Sequence, residues 1–439
     1  MGKEIVKVMK YELRYIDGCG DFYEMQHQVW DIQRQVREML NKTIQESYLW
    51  DYRCRVHKEQ TGNKLDEKEE LGDKLDNYIY HRIRKDHPSV SSTCCNAAVR
   101  QARKKYKDAW KDIQSGQTTL PSYKADQPIP LHNRDNIKFQ HDPEEGNIVV
   151  LTLFSDDYKK QTGYQNLRFG IRAHDSTQKS ILEKVCSGEY GHGQCQLIYE
   201  KKKWFLLLNY NPPKKEGFLL DPDKTLGIDM GVAYAVYCSS RDCRGTFTIP
   251  GDEVIEYAKK LEARKYAKQK QARYCGEGRI GHGTRTRVSS VYREEDAIAN
   301  FRDTINHRYS KAVVEYAVKN GFGRIQMEEL KGVKEDTGFP KRLLHWTYFD
   351  LQTKIVNKAK EYGIEVVKIE PTYTSQRCSR CGNIDKANRP SQAEFRCTEC
   401  GFECNADYNA SQNISIPGID KIIKKALQKK KKCEPEADN

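Results

Sequence analysis

No part of the chain supplies the ~18 consecutive apolar residues that a membrane-crossing helix needs, so no span is expected. The first residues, MGKEIVKVMKYELRY, lack the apolar centre of a secretory leader, and none is read. Apolar residues are scarce throughout. Hydrophobic types make up 37% of 439 residues and mean hydropathy is −0.85, so the cores are modest and much surface is solvated. Acidic residues are outnumbered. Lys and Arg total 75 against 62 Asp and Glu, a net charge of +13 that favours a polyanionic partner, nucleic acid before membrane. There is no internal repeat and no helix-turn-helix or multi-finger array, the usual means of reading base sequence directly. An even cysteine framework is also missing. Fifteen cysteines, four of them at metal-binding spacing, fit a reducing cytoplasm better than a set of disulfides.

What the chain does have is concentrated between Pro371 and Ile414. Cys378, Cys381, Cys397 and Cys400 read C-x₂-C-x₁₅-C-x₂-C, a zinc-ribbon spacing. Four thiolates close a tetrahedral Zn²⁺ site with no open position, which points to a structural ion. Cys404 falls outside the quartet and is expected to pack. Cys54, His57, Cys94 and Cys95 form a second candidate set, for which the adjacent Cys94-Cys95 pair is awkward.

Upstream, Ile5 to Tyr15 reads as a strand, and Asp21 with Glu24 as a capping box. Met25, Val29, Ile32, Val36, Leu40, Ile44 and Tyr48 recur at helical spacing. A second helix is predicted over Glu67 to Lys85, ending before Pro88, and a third over Ser92 to Gln114. The third carries Arg100, Arg103 and Lys104, candidates for tracking phosphates if they are more than a solvated face. Short β-rich runs from Ile148 to Tyr210 suggest a small barrel that the first strand joins. From Thr225 the pattern turns to mixed α/β. A Gly- and Arg-rich loop, Gly276 to Arg287, offers Arg285 and Arg287 as further nucleic-acid contacts. A run of lysines, Lys429 to Lys432, begins an expected disordered tail.

Three acids sit among apolar or small residues: Asp229 in the first strand of the α/β region, Glu328 at the end of a short strand, and Asp407 at a helix start. Brought together, they repel unless a divalent cation reverses the sign of the interaction. Hard oxygen ligands suit Mg²⁺, and two such ions would flank a scissile phosphate. The plain alternative is three unrelated surface or capping acids.

GIDMG (227–231), IQMEEL (325–330) and CNADYNASQNI (404–414) resemble the three motifs of RuvC, RNase H-like nucleases. Their order around a zinc ribbon resembles TnpB and the type V CRISPR-associated nucleases. IANFRDTINHRYS (298–310) and YTSQRCSRCGNIDKANR (373–389) look closest to the miniature type V-F effectors. The match is dense from about Thr225 to Ile423 and weaker before it. Glu329 stands where those nucleases commonly have Asp.

The resemblance implies a multidomain α/β protein. A first wedge strand (1–20), a helical recognition lobe (21–118) and a β-barrel wedge (119–215) precede a RuvC nuclease domain (216–371 and 403–428). A zinc ribbon (372–402) is inserted in that domain, and a tail (429–439) follows. The resemblance also implies Asp229, Glu328 and Asp407 as catalytic Mg²⁺ ligands, Arg389 at or near the scissile phosphate, and a ribbon that loads single strands of target DNA. A guide RNA would supply sequence selection beside a short, T-rich flanking motif. A recognition lobe this small implies an asymmetric homodimer on one guide, in a prokaryotic cytoplasm. A transposon-encoded TnpB-type nuclease, or an inert RNA-guided binder, is the alternative.

Overall fold

The computed structural model describes residues 5–132, 135–231, 233–274, 284–329, 341–371 and 373–433. The side chains of 258, 271–274, 284–296, 298, 341–347 and 429–433 fall outside that description, as does the loop 276–283. Two compact units emerge, Met1–Pro213 and Lys214–Asn439. Among the described residues, no helix is long and apolar enough to cross a membrane.

The first unit runs β1 (Lys7–Asp17), α1 (Phe22–Thr61), α2 (Glu67–Leu71), α3 (Leu75–Asp86), α4 (Ser92–Gln114), β2 (Ile129–Leu131), β3 (Ile137–Asp142) and β4 (Gly146–Leu151). It continues through α5 (Asp156–Thr162), β5 (Leu167–Arg172), α6 (Ser176–Cys186), β6 (Gly191–His192), β7 (Cys195–Glu200) and β8 (Lys203–Asn211). The strands form one antiparallel sheet in the order β2-β7-β8-β1-β5-β4-β3, with β6 also on β8. The first strand therefore sits inside the sheet, between β8 and β5.

Asp21 caps α1 as its spacing suggests: its carboxylate accepts from Glu24 N at 2.9 Å. The Glu24 carboxylate accepts from the Tyr164 hydroxyl at 2.5 Å, tying the start of α1 to the segment before β5. The expected α1 stripe is buried from Met25 to Ile44, and only Tyr48 is partly open. The single helix expected over Glu67 to Lys85 is instead two. Gly72 adopts φ 74 and closes α2, and α3 starts anew with Leu75, Ile79 and Ile83 inward. Helices and sheet share one core, in which Tyr11, Met25, Ile79, Ala98, Val149 and Leu206 all lie.

The second unit runs β9 (Asp221–Asp229), β10 (Tyr234–Ser239), β11 (Phe247–Pro250), α7 (Asp252–Tyr274), α8 (Thr284–Lys319), β12 (Phe322–Glu328), α9 (Lys341–Glu361) and β13 (Glu365–Ile369). A 3₁₀ turn (Lys386–Asn388), β14 (Glu394–Arg396), β15 (Glu403–Asn405), α10 (Ala406–Ile414) and α11 (Ile419–Cys433) complete it. Its sheet has the order β11-β10-β9-β12-β13. The β9, β10 and β11 pairings are antiparallel, while β9, β12 and β13 are parallel. Leu226, Ile228, Ile325 and Met327 of the sheet, Val313 and Val314 of α8, and Leu351 and Ile355 of α9 belong to one core.

Helix α10 also packs on this sheet, and Gly227 sets how closely. A Cβ on Gly227 would meet the Ser411 carbonyl oxygen at 2.1 Å and the Ser415 nitrogen at 2.5 Å. Only glycine lets strand and helix backbones approach this far.

Candidate functional site

Strands β9 and β12 run parallel with Ile228 opposite Met327, so Asp229 and Glu328 end adjacent strands at the same edge. Asp407 arrives from the helix. Asp229 shares a strand face with Gly227, two residues earlier, and Asp407 shares a helix face with Ser411, one turn later. The Gly227–Ser411 contact therefore brings Asp407 beside Asp229. Side-chain bonds fasten the same packing. Ser239 and Ser411 share a hydroxyl bond of 2.6 Å, Gln412 Nε2 donates to the Ser240 carbonyl at 3.0 Å, and Gln326 Nε2 donates to the Ile416 carbonyl at 2.9 Å. Asn405 caps α10, accepting from Asp407 N and Tyr408 N at 2.9 and 3.1 Å.

The electrostatics follow from this meeting. Burial pushes the Asp229 carboxyl up to about 8, and the Glu328 and Asp407 charges add to the rise. Arg389 and the Met230 N–H pull it the other way. Burial raises Glu328 as well, opposed by the Thr374 hydroxyl and Arg389. It raises Asp407, again opposed by Arg389. Arg389, expected near the acids, thus acts on all three from the turn that follows Lys386–Asn388, with Nη2 donating to the Gln392 carbonyl at 3.0 Å. Glu328 ends β12 level with Asp229, whereas Glu329 lies past the strand, its N–H donating to the Ile369 carbonyl at 2.8 Å. One half-buried arginine among three sheltered carboxylates leaves negative charge over. Carboxylate oxygens with excess charge fit a hard divalent cation.

The four ribbon cysteines also converge. Their sulfurs lie within 4.8 Å of one another, with Cys378–Cys400 at 3.7 Å and Cys381–Cys397 at 3.5 Å. A tetrahedron with metal–sulfur bonds of ~2.3 Å has sulfur edges of ~3.8 Å, so the set fits such a metal. Burial works to raise the Cys397 thiol, but N–H groups of Cys400 and Glu399 and the neighbouring thiols outweigh it and bring it to about 7. Among the described residues this is the one set of three or more such side chains whose ligand atoms all lie that close; the acids are grouped more loosely, Glu328 and Asp407 each within electrostatic reach of Asp229. Cys94 and Cys95 are core residues of the first unit and gather no ligand set with Cys54 and His57, so the second zinc set is not formed. Cys404 packs with Phe395 and Phe402 in the ribbon.

The family model described as Cas12f1-like, TNB domain covers residues 348–414. The CRISPR-associated endodeoxyribonuclease Cas12f1 of Sulfoacidibacillus thermotolerans is 38% identical across 97% of this chain and 100% of that protein. The chain belongs to the Cas12f1 family. The Cas12f1 of Syntrophomonas palmitatica is 39% identical over 80% of this chain and 77% of its own length. A solved Cas12f1–sgRNA–target DNA complex shares the fold, with a TM-score of 0.69 at 20% identity over 94% of this chain and 99% of that one.

The remaining candidates of this Cas12f1 family member separate on inspection. Arg100 and Lys104 are exposed on α4. Arg103 is not part of that face: it is buried, and its Nε donates to Asp76 at 2.6 Å, pinning α3 to α4. Arg103, three residues after Arg100, is turned ~60° from it around α4, which brings it against α3. Arg100, Lys104 and Lys105 line a groove of about 620 Å³ whose other wall holds Gln194, Gln196 and Asn209. Arg285 and Arg287 have side chains outside the described residues.

Two residues near the acids carry no motif. The Tyr348 hydroxyl donates to the Gly231 carbonyl just past Asp229, and burial together with the Asp229 and Asp407 charges raises its pKa. Gln352, one turn on, donates to the Glu328 carbonyl at 2.7 Å. Their four-residue spacing on α9 is a signal only once α9 is known to cover the strand ends.

Two outcomes follow for the metal sites. Cys397→Ser is expected to lose the ribbon metal and DNA cutting while guide-RNA binding survives, read by metal analysis and gel shift. RNA binding that collapses in parallel would make the ribbon a folding element of the whole chain. The second concerns pH without divalent cation at the acids. Between its ordinary value of 3.8 and about 8, Asp229 holds a proton when folded that the unfolded chain releases, so stability falls as pH rises through that window. Asp229→Asn should remove the slope, its melting point relative to the unchanged chain rising by ~4–8 °C, about 2 kcal/mol, between about pH 6 and pH 8. Calorimetry in buffer that leaves the ribbon metal bound checks this.

Proposed function

We propose that the chain is a CRISPR-associated, RNA-guided DNA endonuclease that hydrolyses phosphodiesters at Asp229, Glu328 and Asp407. One observation carries the reading: carboxylates from two parallel strand ends and one helix start are gathered round Asp229, all three within electrostatic reach of Arg389. The three carboxylates would hold two Mg²⁺ ions, and the four cysteines a structural Zn²⁺. Divalent ions bound at the acids supply stabilisation of the attacking and departing oxygens. The chain's own residues do the rest. Packing of α10 on β9 sets the spacing of the acids, their half-buried setting limits contact with bulk water, and Arg389 would supply fixed positive charge to a phosphate held beside them.

A guide RNA and a double-stranded DNA target are the proposed partners, with single strands delivered to the acids past the ribbon. The net charge of +13 and the groove lined by Arg100, Lys104 and Lys105 support a polyanion on the first unit. A T-rich flanking motif, a prokaryotic cytoplasmic setting and an asymmetric pair of copies on one guide belong to the same reading. Similarity over nearly the whole chain to endodeoxyribonucleases of this family favours it over a TnpB-type nuclease or an inert binder.

With a matching guide, the protein should cut target plasmid only when Mg²⁺ is present, and Asp229→Ala should cut at least a thousandfold more slowly, on the order expected for losing a shared metal ligand. Equal cutting by the variant ends the assignment. Light scattering on the RNA complex is expected to give the mass of two chains per guide; one chain would refute the pairing.

A further inference from the structure

Between β13 and the first ribbon cysteine the chain makes a turn with a strained backbone. Tyr373 has φ 60, a conformation that residues with a Cβ rarely adopt. Its carbonyl accepts from Gln376 N at 3.1 Å and Arg377 N at 2.9 Å, which hold the turn. The result is that Thr374, only 3% exposed, points its hydroxyl at Glu328 and donates to Oε1.

The other side of the turn is tied to α10. Asn413 Nδ2 donates to the Thr374 carbonyl at 3.0 Å and to the Arg377 carbonyl at 2.6 Å, while its Oδ1 accepts from Arg377 Nη1 at 2.6 Å. Asn409, one turn earlier, donates to the Arg377 carbonyl at 2.8 Å and accepts from Ser379 N at 2.9 Å. Both asparagines are fully buried. Cys378 lies between Arg377 and Ser379, so both chain neighbours of the first ribbon ligand are bound to the helix that carries Asp407.

We propose that Thr374 is a positioning residue for Glu328, and that the cysteine knuckle holds Thr374 in place through Asn413. The inference rests on the reading of the three acids as cation ligands. A carboxylate with one oxygen engaged by a fixed hydroxyl cannot rotate freely, and its other oxygen keeps one direction for a cation. Thr374 itself touches no reacting atom. The ribbon thereby does more than hold nucleic acid: it sets the aim of an acid on a strand to which none of its cysteines belongs.

The test is Mn²⁺ binding by calorimetry on the full chain before guide RNA is added, since RNA binds Mn²⁺ itself, in buffer that leaves the ribbon metal bound. Thr374→Val keeps the volume and removes the hydroxyl. It is expected to weaken Mn²⁺ binding about tenfold, the lower end for loss of a group that orients a metal ligand. Once guide RNA is added, it should slow cutting at limiting Mg²⁺ more than at saturating Mg²⁺. Thr374→Ser should restore both. Asn413→Ala should weaken Mn²⁺ similarly while ribbon metal stays at one per chain; unchanged Mn²⁺ affinity would overturn the ribbon's part. Thr374→Val with Mn²⁺ affinity within twofold of the unchanged chain, and a matching melting temperature, overturns the role of Thr374. Asp229→Ala separates the two readings. If it loses Mn²⁺ while Thr374→Val keeps it, only this inference falls. If it binds Mn²⁺ normally, the cation site falls and this inference with it.

Discussion

Like charges sheltered from water repel, and the second unit is built to hold three of them against that force. Two carboxylates at ~4 Å cost roughly 4 kcal/mol at an effective dielectric near 20. The local offsets, Arg389, the Met230 N–H and the Thr374 hydroxyl, are outweighed, since all three carboxyls stay raised. What holds them is distributed: the parallel pairing of β9 with β12, the backbone approach at Gly227, and the serine and glutamine bonds that fix α10 to the sheet. Arg389 offsets part of the charge, and the remainder is what makes the place attractive to a cation. Attraction for the cation and strain in its absence are one quantity seen from two sides.

The first unit solves a different problem. Its helices are too polar to form a core alone, and its sheet has a face to cover. Each supplies what the other lacks, so Met25 of α1 and Leu206 of β8 lie in the same core. The basic residues are thereby sorted by function. Arg103 is spent on an internal ion pair with Asp76, while Arg100 and Lys104 remain outward beside a groove edged with amides.

Much of this was legible in the chain. The cysteine spacing, the three acid-bearing motifs, the α1 stripe and the bounds of α4 are carried by local pattern, and local pattern is what sequence displays. The break at Gly72 was missed because Leu71, Leu75, Ile79 and Ile83 keep helical spacing across it, and periodicity does not reveal a left-handed residue. Arg103 was misplaced because a charge pattern cannot tell a solvated arginine from one paired across helices. Tyr348 and Gln352 stand in no motif, and Thr374 and Asn413, though inside the 373–389 and 404–414 segments, carry no local sign of what they touch. They act through contacts between segments far apart in the chain, and threonine or asparagine in a turn is ordinary.

The place of β1 has a consequence for how the protein is made. Leu13 pairs with Trp204 on one side and Ile171 on the other, so the first strand of its sheet gains one neighbour only with β5 and the other only with β8, the last strand. At ~5–20 residues per second, translation leaves both edges of that strand bare for roughly eight to thirty seconds, until β5, and one edge bare for roughly ten to forty, until β8. Through that interval Val6 and Val8, still 58% exposed in the finished fold, stand beside unpaired amides. Lys7 and Lys10, three residues apart and so on opposite faces of the strand, are the kind of charge that keeps such an edge from joining a neighbouring nascent chain.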